Sequence, residues 1–93
     1  MTIRLPLRFR LLELLCELPS ATVPELMARL QREYGGERQL RASVLLGHLL
    51  SLRAAGLLED RGGSLDSDGS LLLVFAATEA GRARLKYLPR RRS

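Results

Sequence analysis

The run from Leu40 to Leu58, closing with VLLGHLLSLRAAGLL, constrains this chain more than any other stretch. Leu45, Leu49 and Leu52 recur at the spacing that lines one face of a helix, with Arg41 and His48 on or beside the same stripe. A helix beginning between Glu37 and Leu40 therefore presents its leucines to a core, and Gly56 stops it by supplying a left-handed conformation. Leu57 and Leu58 open a strand. Gly62-Gly63 and Asp66-Ser67-Asp68-Gly69 are dense turn signals, and Leu71 to Ala77 reads as the returning strand. Thr78 then stands where a helix N-cap belongs, with Glu79 favoured by the dipole of the first turn. That last helix runs to about Leu88, and Pro89 terminates it.

The upstream half reads as two further helices. Leu7, Leu11, Leu14, Leu15 and Leu18 fall on one face, with Pro6 tolerated in the first turn and Pro19 as the stop. Thr22 and Glu25 have the spacing of a capping box, and Val23, Leu26, Met27 and Leu30 form the inward side of the helix they open. Gly35-Gly36 ends it. The order is helix, helix, helix, strand, strand, helix: a mainly α fold with a small β-hairpin wing, the winged helix-turn-helix. Residues 1–89 make a single domain and 90–93 a basic flexible tail, as suits a chain of 93 residues. Trp is absent and aromatics are 4%, so Leu, Val and Ala must build the core.

The net charge of +5 is unevenly placed. Met1 to Ala77 holds nine arginines against nine acidic residues, whereas Thr78 to Ser93 sets Arg82, Arg84, Lys86, Arg90, Arg91 and Arg92 against Glu79 alone. A basic end of this kind binds phosphate without regard to sequence and in a salt-dependent way. No apolar run nears the roughly 20 residues that span a bilayer, and arginines interrupt the N-terminal segment where a signal peptide needs an apolar stretch, so a cytoplasmic protein without membrane association is expected. The near-exclusive use of Arg, alongside Leu and Ala, points to a GC-rich bacterial or phage genome.

VLLGHLLSLRAAGLL resembles the third helix of the ArsR, MarR and PadR groups of bacterial winged-helix regulators, which closes with a hydrophobic, a small residue and then Gly-Leu-hydrophobic. FAATEAGRARL, from Phe75 to Leu85, is similar to the segment after the wing in PadR and MarR proteins, a strand followed by Thr-Glu-x-Gly-Arg. The resemblance covers roughly Leu11 to Leu85. It implies a homodimeric transcription regulator that occupies double-stranded operator DNA, without a cofactor. PadR regulators usually carry a further C-terminal dimerisation region, which 93 residues leave no room for, so the first and last helices would supply the dimer surface.

The third helix of such a fold enters the major groove, its N-terminal part at base edges. On this basis Arg38, Arg41, Ser43, Gly47 and Arg53 face DNA, with Arg61 of the wing as a minor-groove or phosphate contact. No acid lies between Arg38 and Leu58. Leu46 and Leu50, expected on the same outward side, offer no hydrogen bonds to bases and suit a partner or dimer contact, together with Arg4 and Arg8 of the first helix. Arg90, Arg91 and Arg92 add nonspecific phosphate affinity. The wing opposes this: between Glu59 and Ser70 only Arg61 stands against Glu59, Asp60, Asp66 and Asp68. A winged-helix protein-interaction module with little or no sequence-specific DNA binding is accordingly the alternative.

Other chemistry has little support. His48 is the single histidine and Cys16 the single cysteine, which excludes an intrachain disulfide and leaves a His/Cys metal site without partners. Asp66 and Asp68 lack the remaining ligands of a calcium loop. Neither a catalytic triad nor a phosphate-binding glycine loop is present, so no enzyme is expected.

Overall fold

The structure, a computed structural model, describes residues 6–34, 40–65, 69 and 71–87. Its elements are α1 (Leu7–Glu17), β1 (Ala21–Thr22), α2 (Val23–Tyr34), α3 (Ala42–Ala54), β2 (Leu58–Leu65), β3 (Leu71–Ala77) and α4 (Glu79–Leu85). The three strands form one antiparallel sheet in the order β1-β3-β2. Four helices around a small sheet that ends in a hairpin constitute a winged helix. The expected glycine stop at Gly35-Gly36, the terminator Pro89 and the tail 90–93 lie outside the described residues.

α1 starts behind Pro6, which needs no amide at this position, and the Pro6 carbonyl accepts from Arg10 N at 3.0 Å. It buries Leu7, Leu11, Leu12, Leu14 and Leu15. α2 opens with the capping box: Thr22 N donates to Glu25 Oε1 at 2.8 Å, and Glu25 N donates to Thr22 Oγ1 at 3.4 Å. Thr22 belongs at the same time to β1, the strand absent from the sequence reading, with Ala21 opposite Phe75 and Thr22 opposite Val74. An N-cap residue already has extended backbone, so one residue both ends a strand and starts a helix. Arg10 ties α2 to α1 through a fork, Nε and Nη2 donating to Glu33 at 3.1 and 3.0 Å.

The core joins Leu11, Leu12 and Leu15 of α1, Leu26 and Leu30 of α2, Leu45, Leu49 and Leu52 of α3, and Phe75 of β3. Phe75 is fully buried at the centre, a burial that contributes about 2–3 kcal/mol. α3 packs on α1, α2 and β2 together, so its core-facing arc is wider than one stripe. Leu46 and Leu50 are consequently half-buried against the core, with part of each side chain still accessible.

Two boundaries also move. α3 starts at Ala42 with Arg41 as an N-cap that contributes no side-chain bond. Gly62-Gly63, expected as a turn, lies inside β2, where the pairing slips by one residue between Asp60 opposite Phe75 and Gly63 opposite Leu73. Gly62 has φ of 89° there, a conformation that glycine adopts without strain. The hairpin therefore carries a bulge.

Candidate nucleic-acid interface

The end of α3, the base of the wing and the start of α4 are locked by backbone groups. Ala55 caps α3, Gly56 follows with φ of 82°, Gly56 N donates to Arg53 O at 2.9 Å, and Leu57 N donates to Leu52 O at 2.9 Å. This is a Schellman ending, which satisfies carbonyls that the helix leaves open. Thr78 completes the junction: its hydroxyl donates to Gly56 O at 2.7 Å and accepts from Gly81 N at 3.0 Å, while Thr78 N donates to Leu57 O at 3.1 Å. The two sequence motifs thus meet in space and hold the wing base against α3.

With its leucines turned in, α3 exposes Arg41, Ala42, Ser43, Gly47, Ser51 and Arg53. Ser43, Gly47 and Ser51 follow at intervals of four, and a Cβ at Gly47 would meet nothing within 4 Å. The backbone of this face is approachable. The N-cap Arg41 makes no side-chain bond to the first amides of α3 and no acid lies in its first turn, so among the described residues no side chain offsets the positive end of the helix dipole. Arg41 stands beside that end without an ion pair among the described residues.

The far end is different. Arg53 Nη1 lies 3.4 Å from Asp60 Oδ2, across from helix to wing, and Asp60 Oδ1 accepts from Gly62 N at 2.9 Å. Arg61 Nε donates to Glu59 Oε2 at 2.6 Å. Both arginines assigned to DNA at this end are therefore engaged with carboxylates of the wing, a pairing that counting charges along the sequence does not reveal.

Of the other expected residues, Arg8 is exposed on α1, and Arg4, Arg38, Arg90, Arg91 and Arg92 lie outside the described residues. His48 is half-buried; burial first, and then the charge of Arg8, lowers its pKa from the ordinary 6.5. On α4, Arg82 Nη1 donates to Ala77 O at 3.3 Å and Arg84 is exposed, as are Lys86 and Tyr87 just beyond the helix. Among the described residues no group of three or more His, Cys, Asp or Glu side chains is placed to hold a metal ion, and no described helix is long and apolar enough to cross a membrane.

No known family's sequence pattern matches the chain, and no curated protein matches it by sequence. By structure it is similar to Bacillus subtilis PadR in complex with operator DNA, with a TM-score of 0.73 and 18% identity over 94% of this chain. The chain spans about half of that protein, 49% of its length. At such identity the likeness is one of fold, a PadR-like winged helix.

Proposed function

We propose that the protein is a winged-helix DNA-binding regulator that presents the N-terminal half of α3 to the major groove of a duplex. The observation that carries this reading is the start of α3: an N-cap that makes no side-chain bond, a first turn without acids, Arg41 without an ion pair among the described residues, and small exposed residues at Ser43 and Gly47. Phosphate is drawn to such an end by both the dipole and the free amides, and a face of small residues admits the helix deep into a groove. The solved PadR complex supports the reading because that protein, of the same fold, binds operator DNA. Two copies would pair to read successive half-sites, with occupancy of the operator as the regulatory act.

The partial burial of Leu46 and Leu50 against the core leaves less of their surface for a partner protein and so favours the DNA reading. Binding to a mixed-sequence duplex across a salt series tests the proposal. Affinity should fall steeply with salt, and Arg41→Ala should weaken it and flatten the slope by about one unit, as for one lost phosphate contact. Absence of binding even at low salt excludes it.

A further inference from the structure

The wing end of α3 carries a charge arrangement that duplex binding alone does not call for. Arg53 and Arg61 are the only basic side chains of α3's last turn and of β2, and each is met by a carboxylate, Asp60 and Glu59 respectively. The two acids are adjacent in β2, and all four side chains remain partly exposed, between 30% and 55%. Pairs this exposed add little to stability, typically below about 1 kcal/mol, so fold maintenance gives them weak justification. Their electrostatic effect is larger in relation to a polyanion: the group is neutral as a whole, whereas the opposite end of α3 is not.

We propose that Glu59 and Asp60 are specificity-determining residues that withhold Arg53 and Arg61 from phosphate. This rests on the DNA-binding reading above and deepens it. Nonspecific affinity for a duplex comes almost wholly from phosphate neutralisation, and discrimination is the ratio of specific to nonspecific binding. Holding two arginines in ion pairs lowers the sequence-independent part and leaves binding dependent on the Arg41, Ser43 and Gly47 end. The bulge assists: Asp60 Oδ1 is anchored by Gly62 N at 2.9 Å, which keeps Oδ2 aimed at Arg53.

The test removes the charges without changing shape, in the double variant Glu59→Gln/Asp60→Asn, since the carboxamide oxygen introduced at position 60 still accepts from Gly62 N. Random-sequence duplex binding is measured across a salt series, and the salt at which each protein elutes from immobilised heparin is recorded alongside. The double variant Glu17→Gln/Glu79→Gln, which removes two exposed acids away from the wing pairs, controls for net charge. The expected result is a roughly tenfold gain in affinity for random duplex at low salt, a slope steeper by about one to two units as Arg53 and Arg61 reach phosphate, and later heparin elution than the control. Unchanged or weaker affinity, or elution no later than that of Glu17→Gln/Glu79→Gln, would overturn the proposal. If no variant binds duplex, DNA binding is refuted, and the heparin order still decides whether the two carboxylates withhold the arginines from a polyanion.

Discussion

Gly81 of α4 lies directly against the carbonyl of Leu57. A Cβ at position 81 would collide with the Leu57 oxygen and stand 3.1 Å from its carbonyl carbon and 3.2 Å from Leu12 Cδ1. The obstacle is mostly backbone and cannot rotate away. Gly81→Ala should accordingly destabilise the fold by about 3 kcal/mol, the upper part of the overpacking range, visible as a lower denaturation midpoint.

Gly56 needs its glycine for another reason. A Cβ there meets nothing within 4 Å, but φ is 82°. Gly56→Ala should cost about 1 kcal/mol, the strain of a left-handed alanine, and Gly56→Asn less. Equal losses at the two glycines would contradict the distinction between lack of space and backbone strain.

Thr78→Val keeps the shape of the side chain and removes both hydroxyl bonds, to Gly56 O and from Gly81 N. A loss of about 1–2 kcal/mol is expected, with faster amide exchange at Gly81 as the local signature. Thr78→Ser, which retains the hydroxyl, should recover most of it.

The Arg10 fork on Glu33 is a further polar tie between elements, and it raises the Arg10 pKa, chiefly by the hydrogen bonds to Glu33. The side chains keep 21% and 38% of their exposure, so solvent screening limits the pair to about 0.5–1 kcal/mol in a double-mutant cycle of Arg10→Gln and Glu33→Gln.

His48 gives a pH dependence of determined sign. Because burial and Arg8 lower its pKa below 6.5, the folded chain holds the ring neutral where the unfolded chain is already taking up a proton. Its effect on stability is absent above that pH. As pH falls below 6.5, stability declines until the lower folded-state pKa is passed, and then levels off. The ring titration followed by NMR should give a midpoint under 6.5, and Arg8→Gln should bring it part of the way back; a midpoint at or above the ordinary value contradicts the placement of the ring.

Much of the frame was legible because each signal was local. The period of Leu45, Leu49 and Leu52, the capping box of Thr22 and Glu25, the Gly56 stop and the Thr78 cap all depend on residues within a few positions of one another. What the sequence concealed was long-range. β1 is two residues long and exists because Phe75 and Val74 lie alongside, and no alternation marks so short a strand. Gly62-Gly63 has the composition of a turn and becomes a bulge because β3 continues beside it. Leu46 and Leu50 look outward on a helical projection and are drawn in because three elements surround α3. At the site, the exposure of Ser43 and Gly47 followed from the periodicity; Arg41, on or beside the core stripe by spacing, is exposed because it is the N-cap ahead of α3, and the capture of Arg53 and Arg61 by the wing acids depends on the fold of the hairpin.

The central claim is that the N-terminal half of α3 meets the duplex. Titration of a mixed-sequence duplex into the isotopically labelled protein at low salt, followed through backbone amide shifts, tests it most directly. The largest changes should fall on Arg41, Ala42, Ser43 and Gly47, with smaller ones at Glu59 and Asp60. Shifts confined to α4, or none at all, would contradict it.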